Sequence, residues 1–464
     1  MILARLLTPE EMGIFSLGIA TIGLAHTLRD FGIGNFLIQE KNLTDGILRT
    51  CLTASFIMSA GIGFAILTIA PWLADFYEEP GIETVLIVIS ITFFVLPFST
   101  VAYSLLRREM RFRAIAAVSL LSSLTNAGVS IILATLGFGF TSLAWGAVAG
   151  AVVTTISTLI ILPTTTAMKP SLKEWRRLGG FSAYATTAAF VGEADQASPD
   201  FVIGHALSFE AVGLYSKAVA IIQIVNILIY NAIIPVLVPA MADRLRKGRD
   251  IKSLYLKMSK YSSAVVWPIC TALAILAEPV LLVLFGSQWV EGAHPVALLC
   301  IATMINAAIA GVQPVLMAAG RVRSILIYRL AYTIPSLAAL IVVASHGLMW
   351  AASVKIFTAI VQVSLGIFLS RDLLRVGLRD LMIGMRVNIV PTVVVGIVAL
   401  LARTVWDGGG FTGALILLVA AVIGSSAWIA TLALIRHELW QETAGIRQSL
   451  HSFYARKNSQ GNGG

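Results

Sequence analysis

The feature that most limits the fold of this chain is a succession of long apolar runs separated by short charged segments. A helix that spans the hydrocarbon core of a bilayer needs about 20 mostly apolar residues. By that measure the sequence predicts about 13 spans, near residues 12–28, 48–73, 84–106, 114–136, 142–162, 179–207, 211–236, 261–284, 295–318, 324–344, 347–369, 387–402 and 412–435. Only 12% of the residues are charged, whereas about a quarter are charged in soluble domains. We therefore predict an all-α polytopic membrane protein.

The segments between these runs divide into two sets by charge. One set, together with the C-terminal tail, holds 28 of the 33 Lys and Arg residues, including the strongly basic segment 244–260. The other set holds only Arg5 and Arg403 and is otherwise acidic, as in segment 75–83. Because the two sets alternate without a break, the positive-inside rule predicts that the basic segments and the tail are cytoplasmic. The net charge of +9 is therefore a topology signal and does not indicate nucleic-acid binding.

The number of predicted spans raises a question about the N-terminal end. An odd number of spans with a cytoplasmic tail leaves Met1 outside. The first residues resemble the end of an apolar helix whose beginning is absent, so we expect one more helix upstream. A short translocated N-terminus is the alternative.

Two pairs of similar segments indicate an internal repeat. Residues 7–20 match residues 207–220 with five identical positions, including a shared Leu-x-x-Glu-x-x-Gly. Residues 110–115 match residues 320–325 through a shared Arg-x-Arg-x-Ile. Each pair keeps the same sidedness in the charge-derived topology, which indicates parallel repeats; chance similarity between apolar helices is the alternative. Parallel repeats are common in transporters, which bind substrate where the halves meet.

No motif of a soluble enzyme is present. The chain has no phosphate-binding loop of the Gly-x-x-x-x-Gly-Lys type and no His-Glu-x-x-His. Its three cysteines lie far apart without the spacing of metal ligands. The longest predicted segment outside the membrane, the tail, has about 29 residues, which is shorter than the 50 or more that a domain needs. We therefore predict that the chain is not an enzyme and uses no metal and no cofactor.

Acidic residues inside one predicted span are the first candidates for a functional site. Glu193, Asp195 and Asp200 lie within the run 179–207. Ionisable residues are costly in hydrocarbon and usually face a bundle interior or a wet cavity. Glu193 and Asp200 share a helical face at i and i+7, and Pro199 predicts a kink or a local opening beside them. A substrate site is one interpretation, and a polar helix–helix contact is the other.

Lysines inside spans are the second group of candidates. Lys217 and Lys355 each lie about two turns into a predicted span, where a cation on a cavity wall would suit a phosphate. The alternatives are snorkelling to the interface or pairing with one of the acidic residues above. Arg5 is added to the candidate substrate-binding residues, whereas we expect Arg329 to snorkel to the cytoplasmic interface.

Seven short motifs, in order along the chain, resemble those of Wzx-type polysaccharide flippases. They are LARLLTPEEMG at 3–13, RDFGIG at 29–34, LRREMRF at 106–112, GFG at 137–139, VGLYSKA at 212–218, LFGSQW at 284–289 and AGR at 319–321. The resemblance covers residues 1 to about 330, and beyond that it is mainly one of hydropathy.

This resemblance implies membership of the multidrug/oligosaccharidyl-lipid/polysaccharide exporter superfamily. It implies two pseudo-symmetric six-helix bundles around a central cavity, with two additional C-terminal helices and 14 spans in the whole family pattern. The corresponding division is 1–163 and 179–370 for the bundles, 164–178 for a cytoplasmic linker, 371–435 for the additional pair and 436–464 for the tail. Relatives often carry Asp where this chain has Pro199, so no role is transferred to that position.

The function implied by the resemblance is transport of undecaprenyl-pyrophosphate-linked sugar units across the bacterial inner membrane. It serves exopolysaccharide or lipopolysaccharide assembly, with polysaccharide polymerase machinery as an expected partner. A small-molecule exporter of the same superfamily is the alternative, although an exporter of cationic drugs would have a mostly acidic cavity. A membrane-embedded sugar transferase would need a large loop with catalytic carboxylates, and the non-cytoplasmic segments are too short.

Overall fold

The computed structural model describes residues 1–30, 32–40, 42–162, 169–309, 311–406, 408 and 410–441. Every regular element in these ranges is helical, apart from short turns. The helices are α1 Ile2–Leu6, α2 Pro9–Asp30, α3 Ile33–Gln39, α4 Asp45–Tyr77, α5 Pro80–Val95, α6 Pro97–Arg108, α7 Phe112–Thr135, α8 Thr141–Ile161, α9 Trp175–Ala206, α10 Phe209–Arg246, α11 Lys252–Ile275, α12 Ala277–Leu284, α13 Ala293–Asn306, α14 Val312–Ala318, α15 Val322–Val343, α16 Leu348–Leu374, α17 Leu378–Met385, α18 Ile389–Thr404 and α19 Gly410–Leu434.

The prediction of an all-α polytopic membrane protein is confirmed. Within the described ranges, ten helical segments are long and apolar enough to cross a membrane, and two bent helix pairs raise the number to 12. The remaining predicted span, 179–207, corresponds to α9, which carries three acidic residues and is not among these twelve. Large apolar side chains are exposed along the spans, as at Ile160 and Phe411, and such a surface suits contact with lipid.

Two predicted spans are each two helices joined at a sharp bend. The helices α5 and α6 are bent by 57°, and α11 and α12 by 76°. The first bend lies at Leu96, whose backbone is itself helical, and the following Pro97 cannot donate to the carbonyl of Phe93. In the second, Pro279 cannot donate to the carbonyl of Ile275, the last residue of α11.

The described structure divides into two compact units. Unit 1 consists of Met1–Val219, Phe285–Gly292 and Arg321–Thr358. One of its hydrophobic cores joins α2, α4, α5 and α8 around fully buried residues such as Leu17, Leu86 and Phe93. Helix α9 packs against α2 and α15, which places the polar residues of α9 inside the unit. The division into bundles made from the sequence stays a prediction.

Unit 2 consists of Ala220–Leu284, Ala293–Gly320 and the chain from Ala359 onward. Helix α11 is its centre and packs against α13, α17 and α18. The indole of Trp267 donates to the carbonyl of Met304 at 2.9 Å, and that of Trp428 donates to the carbonyl of Ala264 at 2.9 Å. These bonds tie α13 and α19 to the same central helix.

The two copies of the repeat meet where their helices begin, inside unit 1. A Cβ placed on Gly13 would lie 1.8 Å from the carbonyl oxygen of Phe209. A Cβ placed on Gly213 would lie 1.9 Å from the carbonyl oxygen of Pro9. Because equivalent glycines make equivalent contacts in both directions, α2 and α10 are related locally by an approximate two-fold axis. The shared glycine of the repeat is therefore required for the close approach of the two backbones.

Backbone conformation supports the second pair of repeated segments. Met110 and Gly320, which occupy the same repeat position, both have left-handed backbones with φ of 54° and 68°. With the same offset, Gly137 and Gly347 also have positive φ, of 85° and 119°. The turns that enter and leave α7 and α15 are thus alike in the two halves.

Candidate functional site

The central feature of α9 is the backbone carbonyl of Asp195, which has no N–H partner within the helix because Pro199 lies four residues later. Pro199 lies inside this continuous helix. It has no N–H to donate to the carbonyl of Asp195, four residues earlier. That carbonyl instead accepts a hydrogen bond from the hydroxyl of Ser198 at 3.0 Å and one from the ammonium of Lys355 at 3.4 Å. The helix stays continuous, and the carbonyl that lacks its helical N–H partner binds a side chain from α16.

The carboxylate of Asp195 completes this contact. Its Oδ2 lies 3.7 Å from Nζ of Lys355, and the two side chains are 14% and 25% exposed. One ammonium is thus held by the backbone and the side chain of the same residue. Of the alternatives left open by the sequence, the structure shows pairing of Lys355 with Asp195.

The other two acidic residues of α9 face α2. The hydroxyl of Ser16 donates to Asp200 Oδ2 at 3.0 Å. Glu193 lies against Gly23, because a Cβ on that glycine would come within 2.6 Å of Glu193 Oε1. The shared helical face of Glu193 and Asp200 is therefore observed, and it is turned toward α2 while Asp195 is turned toward α16.

For Arg329 of α15, snorkelling to the interface stays a prediction, and the structure shows a contact with α9. Its Nη1 donates to the carbonyl of Ala188 in α9 at 2.6 Å. A Cβ on Gly192 would lie 2.0 Å from the same nitrogen. The absence of a side chain at Gly192 makes room for the guanidinium, a packing relation that the sequence does not show.

Lys217 lies apart from the acidic residues of α9. Its Nζ is 5.4 Å from the ring centroid of Trp289 and 5.7 Å from that of Phe285, which is the range of cation–π attraction. It forms no ion pair with any side chain that the structure describes. This cation is therefore stabilised by two aromatic rings and remains available to an anion.

The short helix α1 is tied to the same aromatic residue. The indole of Trp289 and the amide of Gln288 both donate to the carbonyl of Ala4 at 2.7 Å. Arg5 follows Ala4 and is exposed. The structure thus places Arg5 near the Lys217 side of unit 1, and a role for it in substrate binding stays a prediction.

An apolar groove lies in unit 2, between α10, α11, α12, α18 and α19. Its volume is about 560 Å³. Residues that line it include Ile224, Leu273, Val398, Ala420 and Trp428. Apart from a few polar atoms its wall is hydrocarbon, so it suits an alkyl or prenyl chain.

In the part of the chain that the structure describes, no three His, Cys, Asp or Glu side chains cluster as metal ligands do.

The fold is shared with solved membrane transporters. The structure titled "Lipid II flippase MurJ, inward closed conformation" superposes with a TM-score of 0.76 and 12% identity, over 94% of this chain and 95% of that one. The chain belongs to the polysaccharide biosynthesis protein family, whose model matches residues 2–294.

Two curated proteins are similar to this chain in sequence. The succinoglycan biosynthesis transport protein ExoT of Rhizobium meliloti is 28% identical over 62% of this chain and 58% of its own length. The lipopolysaccharide biosynthesis protein WzxC of Escherichia coli is 22% identical over 69% of this chain and 66% of its own length. The chain thus spans about 60% of the length of the curated relatives that it matches.

Proposed function

We propose that the chain is a flippase that moves lipid-linked oligosaccharides across the bacterial inner membrane for the assembly of exopolysaccharide or lipopolysaccharide. The observation that carries this proposal is Lys217, a cation inside a spanning helix that has aromatic contacts but no carboxylate partner among the described residues. A cation in such a place usually has a functional role. The diphosphate of a polyprenyl carrier supplies an anion that it could bind as a point charge.

Two further features support a lipid-linked substrate. Lys355 is held by Asp195, and a diphosphate could compete with that carboxylate for the ammonium. The apolar groove of unit 2 offers a hydrocarbon surface of the kind that a prenyl chain needs. The proposal also includes two further points. The protein works with polysaccharide polymerase machinery, and its C-terminal tail lies in the cytoplasm.

Transport in proteoliposomes tests the proposal. Purified protein is reconstituted with a fluorescent polyprenyl-diphosphate oligosaccharide, and flipping is followed by quenching from one side. We expect Lys217→Gln to reduce flipping about tenfold or more, the loss of one charge-assisted contact, and Lys217→Arg to retain part of it. Lys247→Gln is the matched control, because Lys247 follows the last residue of α10 and pairs with Asp243.

The same preparation separates the alternatives. A cationic dye is loaded in parallel, since a small-molecule exporter would move the dye and leave the lipid-linked sugar in place. Equal flipping by the wild type and Lys217→Gln would remove the basis of the proposal. A wild-type protein that moves only the dye would replace it.

A further inference from the structure

A polar cavity lies in unit 1, and its lining does not include Lys217, Lys355 or the acidic residues of α9. Its volume is about 690 Å³, within the range of sites for small ligands. It is lined by residues of α2, α3, α6, α7, α8 and α9, which include Arg29, Tyr103, Arg107, Ser123 and Thr186. The described lining carries two guanidinium groups, several hydroxyl groups and no carboxylate. Its electrostatic character is therefore suited to a hydroxyl-rich anion.

The cavity belongs to the cytoplasmic side in the charge-derived topology. Arg29 is at the end of α2 that leads into a basic segment, and Arg107 is at the corresponding end of α6. The serines at 119 and 123 lie in the part of α7 that follows the same basic turn. A ligand that approaches from the cytoplasm would thus meet this cavity before the outer half of the helices.

The two arginines of the cavity, Arg29 and Arg107, differ in burial and in the groups that they contact. The guanidinium of Arg29 lies 5.9 Å from the ring centroid of Phe93, on which His26 also stacks at 4.6 Å, and the Arg29 side chain is buried. Arg107 is exposed, and its guanidinium makes no hydrogen bond or ion pair with any described residue. Its neighbour Arg108, in contrast, donates to the carbonyls of Leu37 and Glu40 at the end of α3. Adjacent arginines therefore have separate roles, and Arg107 is the one available to a ligand.

Thr186 gives an independent sign of a ligand. Its side chain is 9% exposed and lines the cavity, yet its hydroxyl has no hydrogen-bond partner among the residues that the structure describes. A buried polar group without a partner is unfavourable, and native proteins rarely retain one without a reason. A ligand hydroxyl or anionic oxygen in the cavity would satisfy it.

We propose that this cavity binds an anionic, hydroxyl-rich group of the transported molecule on the cytoplasmic side, through Arg107, Arg29 and Thr186. The proposal rests on the proposed function, which it extends by adding a loading site. Two sources have the required chemistry, the diphosphate of the lipid carrier and an acidic sugar of the oligosaccharide.

Binding of soluble probes to the purified protein in nanodiscs tests the proposal. The probes are inorganic diphosphate, glucuronate and glucose at constant ionic strength, and affinity is obtained from the ligand-dependent rise of the melting temperature. We expect diphosphate or glucuronate to bind more tightly than glucose. Tighter binding of diphosphate would identify the lipid carrier as the source of the anion, and tighter binding of glucuronate would identify an acidic sugar. Arg107→Gln should weaken its binding about tenfold or more.

Thr186→Val and Arg113→Gln are the informative comparisons. Valine keeps the shape of threonine and removes the unpartnered hydroxyl, so the melting temperature without ligand should stay equal or rise while affinity falls. Arg113 is exposed, follows the same basic turn and does not line the cavity. Its replacement removes the same charge and should leave affinity unchanged. An equal loss in Arg113→Gln would show diffuse attraction and overturn the proposal.

The remaining outcomes are equally decisive. Binding of neither anion, or unchanged binding in Arg107→Gln, would overturn the loading site. If diphosphate binding is lost in Lys217→Gln but kept in Arg107→Gln, the proposed function stands and the loading site fails. If anions bind through Arg107 while the wild type flips no lipid-linked sugar, the binding site stands and the proposed function fails.

Discussion

Removal of Lys355 should destabilise the protein, because it leaves the carboxylate of Asp195 without its cation. The charges are 3.7 Å apart and the side chains are 25% and 14% exposed. At an effective dielectric constant of about 20, the attraction at this distance is about 4 kcal/mol. Desolvation opposes it, and truncation of one partner of a fully buried pair costs about 3–5 kcal/mol. For this partly exposed pair we expect Lys355→Gln to lower the free energy of unfolding by about 2 kcal/mol.

The structure also predicts an asymmetry between the two partners. In Asp195→Asn the backbone carbonyl freed by Pro199 is still present, and it accepts from Lys355 at 3.4 Å in the native protein. The ammonium therefore keeps an acceptor, whereas the carboxylate in Lys355→Gln keeps no cation partner among the described residues. We expect Asp195→Asn to cost less than Lys355→Gln, and the double variant to recover part of the loss.

Unfolding in mixed micelles with increasing denaturing detergent measures the four free energies of this double-mutant cycle. A coupling free energy close to zero, or equal stability of Lys355→Gln and the wild type, would refute the pairing. Flipping measured on the same samples then separates structure from function. If the double variant recovers stability but not flipping, Lys355 has a role in transport beyond its contact with Asp195.

Three more predictions concern packing, topology and the C-terminal segment. Gly13→Ala should disrupt folding at a cost of about 3 kcal/mol or more, since its Cβ would meet backbone atoms, whereas Gly61→Ala, with nothing within 4 Å, should be tolerated when expression and thermal unfolding are compared. Single cysteines should react with an impermeant reagent in intact cells when placed in segment 75–83 and not in segment 244–260; the reverse would refute the topology. The ammonium of Lys260 donates to Glu438 at 2.9 Å and lowers the pKa of that carboxyl. Glu438→Gln should therefore lower the free energy of unfolding by less than about 1 kcal/mol at pH values above the ordinary carboxyl pKa. This difference should vanish as the pH falls through the lowered pKa, and a pH-independent difference would contradict the reasoning.

Much of the fold follows from hydropathy alone, because the length of an apolar run fixes the length of a spanning helix. Each of the predicted spans coincides with a helix, a pair of helices or a helical segment. The bends at Leu96 and before Pro279 were not predicted, although prolines mark both. Prolines also lie inside continuous helices, as Pro71 does in α4, so the residue type alone does not decide between a bend and a straight helix.

The site was predicted only as a set of residue types. Lys355 and Asp195 were both candidates, yet 160 positions separate them in the sequence. Periodicity orders side chains on one helix and contains no information on which helix lies opposite. The same limit explains why Phe285 and Trp289 were not expected beside Lys217. Pro199 did carry a usable signal, since a missing N–H implies a free carbonyl at a known position.

The cavity near Arg107 was missed for a different reason. Serine and threonine are common in spanning helices, where they donate to their own backbone, as Ser104 does to Thr100 at 2.8 Å. Only the packing of five helices shows which hydroxyls converge on a cavity. Arg107 itself was counted as one of many residues of the positive-inside pattern, and that pattern conceals the difference between Arg107 and Arg108.

The two repeats share backbone features but carry their cations in different places. Lys217 stands where the first repeat has Leu17, and, in the register that pairs Met110 with Gly320, Arg107 stands where the second has Met317. In the charge-derived topology Arg107 lies toward the cytoplasm, and Lys217 lies in the outer half of its helix. An anionic headgroup would therefore find cations of the first repeat when it enters and cations of the second when it leaves. Because the repeats are parallel, an exactly symmetric pair would carry each cation twice at the same depth. The unequal distribution assigns one depth to each repeat, so we expect an anionic substrate to meet the two repeats in turn.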